Sequence, residues 1–171
     1  MESDAITLYK LIILFLLDKV DFPLTNAQIS NIILSLNYTN YFNVQYSVSD
    51  LLETEFISSD KIGNKTYYKI TSTGRETLSF FNNKISPDIQ EEVTEYLKEN
   101  QFTLRDEVST LSEYFETKDK NYIVRLRVIE QGDAIIDLNI SVPSKEDAEN
   151  ICNNWREKSQ QVYAYILTNL L

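Results

Sequence analysis

The segment Tyr41–Thr71, YFNVQYSVSDLLETEFISSDKIGNKTYYKIT, decides the fold of this chain. At about 100° per residue, Val44, Val48, Leu51 and Leu52 share one side of a helix. Phe42, Asn43, Tyr46, Ser49, Asp50 and Glu53 share the other, with Gln45 at the boundary. The helical pattern ends at Phe56-Ile57. Strand-forming residues then appear, Phe56-Ile57-Ser58 and Thr66–Ile70, around Asp60-Lys61-Ile62-Gly63-Asn64-Lys65. Gly63-Asn64 tolerates the positive φ of a tight turn. Alternation along the second strand directs Tyr68 and Ile70 to a core and Tyr67 and Lys69 to the opposite face. Lys61 and Lys65 flank the hairpin tip.

Working toward the amino terminus, Asp4–Lys19 predicts a helix whose apolar residues, Leu11 to Leu17 above all, cover more than one face. Such a helix is largely buried and supports a three-helix core. Asp21-Phe22-Pro23-Leu24 breaks it, because proline lacks an amide donor and restrains the residue before it. Thr25-Asn26-Ala27-Gln28 has the form of a capping box, so a second helix starts there, with Ile29, Ile32, Ile33 and Leu36 as its core stripe. Asn37, Thr39 and Asn40 make a polar turn into the helix beginning near Phe42. Two helices joined by a short turn, the second followed by a hairpin, form a winged helix-turn-helix. In that frame Asn43, Gln45, Tyr46 and Ser49 reach bases or phosphates in the major groove, since amides can pair with adenine edges and hydroxyls with phosphates. Lys61, Asn64 and Lys65 hold the adjacent backbone. Asp50 and Glu53 put negative charge on the second half of the same face.

Several of these residues resemble a known pattern. Leu51-Leu52, Phe56-Ile57, Gly63, Tyr67-Tyr68-Lys69-Ile70-Thr71 and Gly74 are similar to the core of PadR- and MarR-type winged-helix regulators. That resemblance covers the first half of the chain and implies a dimeric DNA-binding transcription regulator. Glu55-Phe56-Ile57 departs from it, standing where the family usually has a glycine at the helix exit, and the hairpin tip lacks the family's frequent arginine. The whole chain, with Tyr41-Phe42 and a β-rich second half, is similar to a bacterial winged-helix family of unknown function.

Beyond the hairpin, Thr71 or Ser72 caps a helix to about Lys84, with Leu78, Phe80 and Phe81 apolar. Ser86-Pro87-Asp88 starts another, with Ile89, Val93, Tyr96 and Leu97 buried and Glu91, Glu92, Glu95 and Glu99 outside. After Asn100 the period changes. Tyr122–Ile129 and Ile135–Val142 alternate as two strands around Gln131-Gly132-Asp133, and closing the turn with Glu130 opposite Ala134 sets Arg127 opposite Asp137 and Arg125 opposite Asn139. Residues around Val108–Glu116 add a third strand. Ser144 then caps a long helix carrying Ala148, Ile151, Cys152, Trp155, Val162, Tyr163, Ile166 and Leu170 on one stripe. Part of that stripe is expected to meet a second subunit. The fold class is therefore α+β: residues 1–86 a winged helix-turn-helix, and residues 87–171 a small antiparallel sheet with a long C-terminal helix that dimerises or senses an effector.

Composition limits the chemistry. The 171 residues include no His and a single Cys, so the commonest general base and the usual zinc ligand sets are missing. No glycine-rich phosphate loop of the usual kinds occurs. The expectation is a non-enzyme with no cofactor and no metal. Leu11–Leu17 is too short to cross a bilayer, which needs roughly 20 apolar residues, and lacks the flanks of a signal peptide; no membrane association is expected, and the lone Cys152 suits the cytoplasm. The net charge of −10 is unevenly spread: seven basic and nine acidic residues up to Ser86, nine and seventeen after it. The expected partners are double-stranded DNA and a second copy of the chain. The alternative is a winged helix serving as a protein-interaction module through Tyr41, Phe42 and Tyr67 and the acidic second half.

Overall fold

The computed structural model describes Glu2–Leu171. Among these residues the architecture is α+β, with six α-helices and two three-stranded antiparallel sheets. The chain divides into two compact units, one formed by residues up to Lys61 together with Lys65–Arg105, the other by Ile62–Asn64 together with Asp106–Leu171. The division after Arg105 falls later than the Ser86/Pro87 boundary expected from sequence.

The first unit is built around α1 (Glu2–Asp18), in which every residue from Leu11 to Leu17 is at most 5% exposed. Only a helix surrounded by neighbours can carry such an unbroken apolar run in water. Those neighbours include α3 (Tyr41–Glu53), α4 (Ser72–Phe81) and β3 (Lys65–Ile70). A short strand, β1 (Leu24–Thr25), leads into α2 (Asn26–Ser35). The capping box forms as expected: the Gln28 amide donates to Thr25 Oγ1 at 3.1 Å, and the Thr25 amide donates to Gln28 Oε1 at 3.0 Å. Gln28 also donates through Nε2 to the Leu104 carbonyl, so the cap residue ties α2 to α5 (Pro87–Ser109). Helix α2 is capped by Leu36 and followed by Asn37, whose φ of +57 lies in the left-handed region that asparagine tolerates.

The sheet of this unit has the order β1-β3-β2, with β2 spanning Ile57–Ile62. Leu24 pairs with Tyr68 and Thr25 with Tyr67, adding a strand that the two-stranded hairpin expectation did not contain. This makes β3 central. Tyr67, expected on the open face with Lys69, is 6% exposed, as are Tyr68 and Ile70. Helix α3 ends three residues earlier than its apolar pattern suggested, with Thr54 as cap and Glu55 at φ +58.

Gly74, in the first turn of α4, has a different role. A Cβ there would lie 2.1 Å from the Phe56 carbonyl oxygen, which accepts the Thr71 amide at 3.1 Å. Thr71 in turn caps α4, accepting the Gly74 amide at 3.0 Å. The Thr71-x-x-Gly74 spacing thus bolts the start of α4 onto the exit of α3.

Helix α5 continues well past Asn100, where a change of period is expected from the sequence, and places Val93, Leu97 and Leu104 in the first core. This is the physical reason the division comes after Arg105. In the second unit β4 (Thr110–Glu116), β5 (Tyr122–Glu130) and β6 (Asp133–Val142) are consecutive neighbours, packed against α6 (Lys145–Leu170), which Ser144 caps. Val124, Leu126, Ile136, Ala148 and Trp155 form its core, and the Trp155 indole donates to the Arg127 carbonyl at 3.1 Å.

The β5–β6 register matches the expected one over most of its length, with Arg127 opposite Asp137 and Arg125 opposite Asn139. The turn differs. Gln131 (φ +52) and Gly132 (φ +92) form a two-residue connection closed by Glu130 and Asp133, and a bulge between Val128 and Ile129 restores the register. The ion pairs also run diagonally: Arg125 grips Asp137 at 2.9 and 2.7 Å, while Arg127 reaches Glu113 on β4 at 3.2 Å.

Candidate nucleic-acid interface

The face that the first unit leaves open begins at the amino end of α3. Asn40 caps this helix, its Oδ1 accepting the Asn43 amide at 3.0 Å. Val44, Ser47, Val48 and Leu51 turn inward. Outward stand Tyr41 at 52%, Phe42 at 82% and Tyr46 at 60% exposure, with Ser49 also exposed. From Phe22 to Ser49 the chain has no charged side chain at all, so this end of the unit is neutral, polar and aromatic.

The two amides expected to read bases are differently placed. Gln45 is half-buried and engaged inward: it and Asn26 exchange amide hydrogen bonds at 3.1 and 2.9 Å, and it donates to Ser30 Oγ at 2.9 Å. This network locks α3 against α2. Asn43 is half-buried and donates one N–H to Thr39 Oγ1 at 2.8 Å, leaving its carbonyl oxygen and its second N–H to offer outward. Tyr46 and Ser49 are free of such ties to neighbouring helices and stay accessible.

Charge on the second half of the face is milder than the sequence suggests. Asp50 is paired with Lys10 of α1 at 2.7 Å, both side chains about 30% exposed. A partly screened, neutralised carboxylate repels a phosphate far less than an isolated one. Glu53 remains exposed beyond it. On the hairpin, Lys61, Lys65 and Lys69 are exposed cations, while Asn64, also exposed, belongs with Ile62 and Gly63 to the second unit. There Gly63 (φ +61) donates its amide to Glu113 at 3.3 Å.

Sequence reading missed Lys10 as the partner of Asp50 and Asn26 as the partner of Gln45. Both lie in other helices, and no local pattern connects them. It also missed Ser47, fully buried with an Oγ that has no hydrogen-bond partner.

Other features of the two units are structural in character. Tyr38 donates to Glu92 at 2.5 Å, and burial together with that acceptor pushes its phenol far above its ordinary value. A shallow groove of about 350 Å³ between α1 and α5 mixes Lys19 and Lys98 with Glu91 and Glu95, and Lys19 lies 5.0 Å over the Phe15 ring. Hydrogen bonding to Arg125 holds the Asp137 carboxyl below the usual carboxylate range, and the bond from Tyr114 does the same for Glu149. Among the described residues no helix is long and apolar enough to cross a membrane, and no three metal-ligating side chains converge.

Neither a curated protein nor a solved structure matches the chain. A family model does, over residues 9–170, which takes in nearly all of both units. The chain belongs to the family described as Domain of unknown function (DUF4364).

Proposed function

We propose that the first unit is a winged helix-turn-helix and that the protein is a dimeric, non-catalytic DNA-binding transcription regulator. The observation that carries this reading is the exposed amino-terminal half of α3, held rigidly on α2 and followed directly by a hairpin bearing Lys61, Lys65 and Lys69. A major-groove reader needs a helix whose first turns project, and a wing needs cations where the backbone passes. Because Gln45 is spent on Asn26 and Ser30, base contact falls to Phe42, Asn43 and Tyr46. Aromatic rings meet thymine methyl groups, and the Asn43 carbonyl accepts from an adenine or cytosine amino group. Ser49 and the lysines supply phosphate contacts. Dimerisation rests with the second half of the chain.

The exposed Tyr41, Phe42 and Tyr46, on an uncharged surface, also suit a protein partner, and this is the second reading. Its expected third aromatic, Tyr67, is buried and drops out. Selection of genomic fragments with the purified protein separates the two. Enrichment of defined sites, lost in Phe42→Ala with Tyr46→Ala, supports DNA reading; no enrichment at low salt removes it.

A further inference from the structure

Strand β6 is the longest strand of its sheet and is hydrogen-bonded on one side only, to β5. Natural sheets blunt such an edge with proline, lysine, brevity, a bulge or a covering element, and β6 has a bulge only near its start, at Ile135. Between Asp133 and Val142 there is no proline and no lysine. Helix α6 does not cover the edge either: it lies chiefly across β4 and β5 and touches β6 least. Of its inner-face residues Ile136 is buried, at 7%, whereas Ile140 is exposed, at 38%.

The sequence of β6 is suited to pairing with itself. A twofold axis perpendicular to the sheet keeps each face on its own side, so opposed residues must have the same parity. Centring the axis on Asp137 would set that carboxylate against its own copy, which is destabilising. Centring it on Asn139 opposes Asp137 to Ser141 and forms no amide–carboxylate pair. Centring it on Leu138 opposes Ile136 to Ile140 and sets each Asp137 carboxylate against an Asn139 amide that can donate to it, and regular pairing ends at the bulge residue Ile135. No like charges face each other in that register. Asp137 is moreover neutralised within its own copy by the two-pronged contact from Arg125 at 2.9 and 2.7 Å. For a chain of net charge −10, a contact between copies has to be made where the acid is already compensated.

We infer that two copies of the chain join edge to edge through β6, antiparallel about Leu138, into a continuous six-stranded sheet. This rests on the dimeric part of the regulator reading and specifies its interface. The axis generates two Asp137–Asn139 oppositions in the dimer.

Asn139→Asp tests it, because Asn139 lies opposite Arg125 within its own copy and opposite Asp137 only across the axis. The substitution is benign to the monomer and sets two like-charged pairs in the dimer, so dimerisation measured by analytical ultracentrifugation should weaken roughly tenfold. Asn139→Ser, which adds no charge, should leave the dimer intact. In a Cys152→Ser background, Leu138→Cys should oxidise to a covalent dimer, and Ile135→Cys, off the axis, should not. A dimer that ignores Asn139→Asp and gives no Leu138→Cys cross-link overturns the edge assignment, as does a monomer at tens of micromolar. Loss of site enrichment in the fragment selection, with dimer and cross-link preserved, removes the DNA reading and leaves the β6 interface supported.

Discussion

Replacing Gly74 by Ala should destabilise the first unit, although the residue lies in a helix. In an exposed helix interior the same change stabilises by about 1 kcal/mol, since alanine is the better helix former. Here the new Cβ would stand 2.1 Å from the Phe56 oxygen and 2.9 Å from Ile70 Cγ1. Phe56 cannot move aside freely, because its carbonyl accepts the Thr71 amide and Thr71 is itself the cap of α4. Overpacking of this kind costs about 1–3 kcal/mol, and losing the Thr71–Phe56 bond adds about 1. Net of the helix-propensity gain, the loss is about 1–3 kcal/mol. The single tryptophan, Trp155, sits in the second unit's core and does not report on this change. Native-state hydrogen exchange of the α1 amides does. At equal pH and temperature their slowest exchange should accelerate roughly 5- to 150-fold, the equivalent of that free energy. A Gly74→Ala variant with unchanged or slower exchange would refute the close-approach argument.

Ser47→Ala should stabilise the same unit by about 1 kcal/mol, because it removes a fully buried hydroxyl with no partner; a fall in the thermal midpoint would contradict this. Glu55→Gly should be neutral or stabilising by up to about 1 kcal/mol, since glycine removes the steric cost of φ +58, whereas β-branched Glu55→Val should destabilise in urea titrations. Asp137 gives a pH signature. Its carboxyl is held below the usual range by Arg125, so its contribution is present above the unfolded value near pH 4 and is lost as pH falls through the lower folded value. Asp137→Asn should therefore lower stability at neutral pH and flatten the acid limb of the Trp155-detected curve; a parallel limb would show that the pair contributes nothing.

Local chemistry was legible in the sequence, and contacts between distant segments were not. The Thr25–Gln28 capping box, the Ser144 cap and the Arg127–Asp137 register each depend on residues a few positions apart or on strict alternation, and each is present in the structure. The length of α5 could have been read: no breaker stands between Asn100 and Thr110, and Leu104 and Val108 continue the apolar spacing begun at Val93 and Leu97. The polar character of that stretch, with Phe102 at 85% exposure, obscured it. Tyr67 was misplaced because alternation assigns one face of β3 to solvent, whereas Tyr67 and Tyr68, on opposite faces, are both buried; β1, the two-residue strand that pairs with them, is too short to leave a period. For the candidate site, the outward positions of Phe42, Tyr46 and Ser49 follow from helical spacing. The engagement of Gln45 with Asn26 and of Asp50 with Lys10 depends on how helices pack, and one-dimensional spacing carries no record of it.

The central claim, that α3 and the lysine-bearing hairpin grip a DNA duplex, is tested most directly by the salt dependence of affinity for an enriched fragment. Each phosphate neutralised by a lysine adds about one unit to the slope of log affinity against log salt. The wild-type protein should lose affinity steeply as salt rises, and Lys61→Gln with Lys65→Gln should reduce that slope by about two units per protomer. An unchanged slope in the double variant, or no binding at low salt, would contradict the account.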